Sequence, residues 1–280
     1  MRNRLSLILQ TVSLLLIMYI SISRAWNTLI QQSLVQQYNA DIYEDISDNR
    51  YDTEEEKAHS YNEELFHSGI HALSERLSEP LSDTLSYDSL LNVKGDGIMG
   101  YVEIPEIGIS LPISHYASDD ALETGAGHLY GTSLPVGGKN SHAVITGHRG
   151  LPTLKAFTDL DLLKKGDIFI LHVLDRDLCY EVDQITTVLP TETEELAIRR
   201  GEDLVTLVTC TPYGVNTHRL LVRGRRIIRE SGNMRDKRLS LQRFVLSWRT
   251  VTGAGIFAGI TGTVFLIYLW KIRRERKIRP

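Results

Sequence analysis

Leu204-Val205-Thr206-Leu207-Val208-Thr209-Cys210-Thr211-Pro212-Tyr213-Gly214 is a short apolar and β-branched run that ends on a cysteine and then a turn. Such a run, bounded by Pro and Gly, predicts a β-strand. A strand-end residue before a turn sits at the rim of a sheet or barrel, where it can meet a ligand. Arg219 opens the next run of this kind, Arg219-Leu220-Leu221-Val222-Arg223. If the two pair as an antiparallel hairpin, Cys210 and Arg219 lie at the same end, with eight residues between them to shape a pocket.

Upstream the same grammar repeats. Short β-rich runs cover 100–104, 110–115, 142–146, 167–174 and 179–189, punctuated by Pro105, Gly108, Pro135, Gly137-Gly138 and Gly166. At least seven such strands within residues 98–226 predict a mainly β domain, a barrel or sandwich, with helical patches near 119–123 and 151–163. Residues 26–97 read as a polar pre-barrel region, helical from Trp26 to Tyr61 and irregular from 78. Residues 227–250 read as a basic linker.

A cysteine nucleophile works as the thiolate, which a neighbouring imidazolium favours. Of nine histidines, His148 is the best placed, because it directly follows the run 142–146 within Thr146-Gly147-His148-Arg149-Gly150. His142 is at the other end of that run, and His59, His67 and His71 belong to the polar helical region. Arg219 offers a permanent charge and five donors to an oxyanion or a substrate carbonyl. Taken singly, each residue has a plain structural reading, and spacing alone leaves both open. The second cysteine, Cys179, lies in the alternating run Leu178-Cys179-Tyr180-Glu181-Val182 and reads as a buried strand residue rather than a disulfide partner.

Both ends carry an uncharged stretch long enough for a bilayer core of ~30 Å, at 5–23 and 251–270. Arg2 and Arg4 precede the first; Lys271, Arg273, Arg274, Arg276, Lys277 and Arg279 follow the second, with Glu275 alone opposing them. Basic flanks stay cytoplasmic, so two spans at 1–25 and 251–270, with a basic tail at 271–280, place both termini inside and the middle outside. Of 31 Lys+Arg and 35 Asp+Glu, the middle retains 23 and 34, about −11, a poor surface for nucleic acid. Ser21-Ile22-Ser23 also fits a signal-peptide cleavage site, and a buried core helix is the other reading of either stretch.

At these residues the chain resembles the sortase family. Thr206-Leu207-Val208-Thr209-Cys210 is similar to the family's cysteine strand, and 146–150 to its histidine segment. Arg219 stands where the family's arginine follows the cysteine. Residues 100–105, 125–129, 131–138, 157–160 and 210–213 resemble class C, pilus-assembling sortases of Gram-positive surfaces. The resemblance implies a closed sortase-type β-barrel with short helices, preceded by a helical region and flanked by two transmembrane helices. It implies a cysteine transpeptidase with catalytic Cys210, His148 and Arg219, substrate contacts at Thr209 and Thr211, and no cofactor or metal. Its substrates would be pilin or surface proteins bearing LPXTG-like signals, held as a thioacyl intermediate and released onto a lysine amine. Anchoring of single proteins to peptidoglycan is the nearest alternative, and a non-catalytic membrane-tethered scaffold is the alternative of another class. Class C enzymes also carry an Asp-Pro-aromatic lid. Here Glu79-Pro80-Leu81 keeps the acid and the proline but lacks the ring.

Overall fold

The computed structural model describes residues 2–44, 50–68 and 84–228. The expected lid Glu79–Leu81, the second span 251–270, the tail and nearly all of the linker lie outside them. Eight strands form one closed barrel: β1 Ile98–Ile104, β2 Ile109–Ser114, β3 Ala126–His128, β4 Ser141–Gly147, β5 Ile168–Val173, β6 Arg176–Val188, β7 Asp203–Thr211 and β8 His218–Arg226. Their order around the wall is β1-β2-β3-β4-β7-β8-β6-β5, closed by β5 on β1. Two neighbour pairs, β2/β3 and β4/β7, run parallel, and the others antiparallel.

Strand alternation divides the side chains. On β4, β7 and β8 the interior takes Ala143, Ile145, Val205, Leu207, Leu220 and Val222, part of the main core. The outer face of the same strands carries Val144, Val208 and Leu221, which Leu196 of the β6–β7 loop covers. That loop is pinned through His142. Its Nδ1 donates to the Ala197 carbonyl at 2.9 Å, so Nε2 accepts from the Thr206 hydroxyl at 2.7 Å. Burial holds His142 neutral, with its pKa pushed down to about 4.

Three longer-range packings complete the domain. Helix α1 runs unbroken from Arg2 to Glu44, through the expected boundary between span and pre-barrel region. The Tyr38 hydroxyl on its barrel-facing side donates to Met99 O at 3.1 Å and accepts from Leu174 N at 2.8 Å. Helix α2 (Arg50–His67) is pinned by Asn62, which donates to the Leu134 carbonyl at 3.1 Å and accepts from the Leu134 N–H at 2.7 Å. After the short α3 (Thr84–Ser89), Tyr87 enters an aromatic cluster with Tyr61, Tyr116, Tyr130 and His128. Its hydroxyl bonds His128 Nδ1 at 2.8 Å, while His128 Nε2 donates to Ser133 O at 2.8 Å. The helical patch near 119–123 forms as α4, Asp119–Thr124, capped by the Ser118 hydroxyl. The one expected over 151–163 does not form: only a 3-10 turn, Leu160–Leu162, appears there.

Candidate active site

Cys210 and Arg219 are directly opposed in the β7/β8 ladder. Opposed residues of an antiparallel pair share a face, so the thiol and the guanidinium stem leave the wall on the same side. On the other flank β7 lies parallel to β4, with Thr146 beside Val208. One step further, Thr209 Oγ1 donates to the Gly147 carbonyl at 2.7 Å. Cys210 follows Thr209 and His148 follows Gly147, so both chains carry their polar residue to the same level at the same end. The three catalytic candidates are thus delivered by three adjacent strands, although 62 and nine positions separate them in sequence.

The strands also show which face Cys210 takes at its strand end. Along β7, Val205, Leu207 and Thr209 alternate with Thr206, Val208 and Cys210, and the second set faces outward. Cys210 therefore stands on the outer wall, half-exposed, at the end of an apolar strip formed by Val144, Leu196, Val208 and Leu221. Thr209, expected among the substrate contacts, is buried at 1% exposure, and its hydroxyl is committed to Gly147. It positions the strand ends instead. Thr211 is half-buried, and its hydroxyl accepts from Arg149 Nη1 at 3.0 Å. Cys179 is buried in β6, and no disulfide joins it to Cys210.

The segment after β4 is held from several directions. Phe157, fully buried, donates its N–H to the His148 carbonyl at 3.0 Å. Its ring lies so close to Gly147 that a Cβ there would sit 2.7 Å from it, so only glycine fits before the histidine. Arg149 is the residue that sequence reasoning passed over. Its side chain is only 7% exposed. It donates to the Thr158 carbonyl from Nε at 3.2 Å and to Thr211 from Nη1, and pairs with Asp161 through Nη2 at 2.6 Å. One guanidinium thus ties the histidine segment to the residue after the cysteine. Arg219 differs: Nη1 donates to the Asn216 and His218 carbonyls at 3.2 and 3.1 Å, and no carboxylate pairs with it among the described residues. Its charge remains available to a ligand. Among the described residues no cluster of His, Cys, Asp and Glu is arranged to hold a metal ion.

The comparisons with known proteins bear on the family and the fold. A family model described as "Sortase domain" matches residues 102–227. Sortase A of Bacillus anthracis is 29% identical over 127 residues, which cover 45% of this chain and 59% of the relative, so the chain spans little more than half its length. Among solved structures, sortase C1 of Streptococcus agalactiae is 41% identical, with a TM-score of 0.66, covering 71% of this chain and 100% of that one. Sortase C of Streptococcus pneumoniae, whose structure is described as informing catalysis and pilin substrate specificity, is 44% identical with a TM-score of 0.60, covering 70% and 97%. The chain belongs to the sortase family of cysteine transpeptidases, in its class C branch.

Proposed function

We propose that this chain is a membrane-anchored, extracytoplasmic transpeptidase that joins pilin subunits, with Cys210 as nucleophile, His148 as proton carrier and Arg219 as oxyanion partner. The Cys210 thiolate attacks the threonine carbonyl of an LPXTG-like signal. Charge develops on that oxygen, where a fixed guanidinium acts most strongly. Collapse breaks the Thr–Gly bond, and His148 protonates the leaving amine. A lysine amine of the next subunit then attacks the thioester and gives a proton to His148, and the thiolate departs. The product is an isopeptide bond, and no redox partner is needed.

The observation that carries this reading is the opposition of Cys210 and Arg219 across β7/β8, with β4 delivering His148 alongside. Membrane anchorage is supported by α1, whose Leu9–Ile42 portion is long and apolar enough to cross a bilayer. The pilin reading is supported by the sortase C neighbours. The test is mass spectrometry of the chain incubated with an LPXTG-bearing peptide and a lysine-bearing pilin segment. A Thr–Lys isopeptide is expected, and Cys210→Ala or His148→Ala should each remove it. A Cys210→Ala variant joining subunits at near wild-type rate would end the assignment. Transfer only to a peptidoglycan amine would replace the pilin reading with wall anchoring.

A further inference from the structure

We infer that the catalytic end of the barrel is held against the phospholipid surface, with α1 as a rigid strut that fixes this orientation. The inference rests on the membrane-anchored reading of α1 given above and adds which way the domain faces.

Helix α1 is one uninterrupted helix of 43 residues, without Gly or Pro. Its first half is bare: residues 9 to 22 are all exposed, including Leu15, Leu16, Ile17 and Tyr19. The uncharged stretch ends at Ser23, and Arg24 and a 64% exposed Trp26 follow. A basic residue and an amphipathic ring are the side chains that settle at a bilayer–water boundary.

Packing against the barrel begins at once. Asn27 Nδ2 donates to the Thr153 carbonyl at 3.1 Å. Asn27 lies four positions past Ser23, which is ~6 Å of helix. Thr153 belongs to the segment that starts at His148 and returns to it through the Phe157 N–H. The first part of the barrel that α1 meets is therefore the part that carries the histidine. Further along, Tyr38 reaches Met99 and Leu174, and Asp41 pairs with Lys94. These partners lie at the start of β1 and the end of β5. Strand direction places that region opposite the catalytic end: β6 meets Arg219 at Val188, whereas the end of β5 pairs with the start of β6, Val173 with Arg176, and the start of β1 follows it, Tyr101 with His172. The helix rises from the bilayer past the catalytic end first and the far end second.

A second, independent observation agrees. Among the described residues from 98 to 228, the exposed large apolar side chains are Leu162, Leu189, Tyr213, Val215 and Ile228. The first four fall at the catalytic end, and Ile228 follows β8 at the other. Leu162 is in the β4–β5 connection, and Tyr213 and Val215 are in the β7–β8 turn. Leu189 directly follows Val188, which pairs with Arg219. A domain that gathers most of its exposed apolar residues on one end presents an interaction surface there, and the strut aims this one at the lipid.

The orientation can be measured on the full chain in nanodiscs with acceptor dye on the lipid headgroups. Donor dye is attached at Pro152→Cys, in the exposed part of the His148 segment, or at Lys139→Cys, before the start of β4 at the far end. Both are made in a Cys210→Ala background, where Cys179 is buried. The Pro152 label is expected nearer the headgroups by ~20 Å, the span of six or seven strand residues. Five Gly/Ser residues inserted between Ala25 and Trp26 should shrink that difference. Equal distances, a nearer Lys139 label, or a difference unmoved by the insertion overturns the orientation. A chain that elutes without lipid overturns it together with the anchorage, and peptide transfer by the wild-type chain in detergent shows separately whether the transpeptidase reading stands.

Discussion

Replacing Arg149 by methionine tests whether the segment after β4 is held for catalysis or only for stability. The side chain donates to Thr158 O and Thr211 Oγ1 and pairs with Asp161. Hydrogen bonds from a charged donor contribute ~1.5–3 kcal/mol each. The Asp161 carboxylate is 46% exposed, so its pair is discounted to the surface range of ~0.2–1 kcal/mol. Methionine keeps most of the stem, so packing is largely retained and the loss is about 3–7 kcal/mol. In a domain of this size that lowers Tm by roughly 6–28 °C. The effect on rate has another source. With Arg149 gone, the His148 segment is no longer tied to the residue after Cys210, and an ångström of misplacement costs ~10²-fold in rate. Arg149→Lys keeps the charge opposite Asp161 but loses the fork of donors, so it should recover part of the Tm and little of the rate. The assay is peptide transfer, with kcat and KM resolved, beside a thermal melt. A methionine variant with the lowered Tm but kcat within twofold of wild type would refute the positioning role.

Two further outcomes follow from buried polar groups. Thr209→Val keeps the shape and removes the donor to Gly147 O, leaving a buried carbonyl unpaired, so denaturant titration should show a loss of ~1–3 kcal/mol. The same variant should slow acylation measured by thiol release, since that bond levels the ends of β4 and β7. Acid sensitivity comes from His128 and His142, whose folded pKa values burial depresses to about 4 from 6.5. Between those values the unfolded chain binds more protons. Stability is therefore full above ~6.5 and declines as pH falls towards 4, on the order of 3 kcal/mol per histidine. Asp203, raised by burial, acts in the opposite sense. Melts from pH 7.5 to 4.5 should show the decline, and His142→Gln should remove about half of it; a flat profile would mean the histidines are not buried as described.

What the sequence disclosed and withheld has physical reasons. Seven of the eight strands were legible because Gly and Pro bound β-branched runs. β3 was not: Ala126-Gly127-His128 is too short to show alternation. The side of β7 that bears Cys210 was also hidden. Because Leu196 and its loop cover the outer face, Leu204–Val208 is buried on both sides, and such a strand has no clear period to read. The expected helix over 151–163 yielded to tertiary demands: Phe157 is drawn onto Gly147, and Arg149 captures the Thr158 carbonyl. Arg149 itself gave no signal, because its partners Thr158, Asp161 and Thr211 converge only through the fold. The hairpin argument for Cys210 and Arg219 needed nothing beyond strand order, and the ladder has that register.

The parallel pairing of β4 with β7 has a consequence for how such a domain can diversify. Two neighbouring strands that point the same way oblige the chain to travel the whole length of the wall before the second begins, and residues 148–202 make that journey. The stretches of the detour outside β5, β6 and the Arg149, Phe157 and Asp161 contacts can lengthen, shorten or change composition while the backbone rungs that align thiol and imidazole stay as they are. Lineages could thus exchange one cargo for another by editing the excursion, with the reacting groups inherited intact.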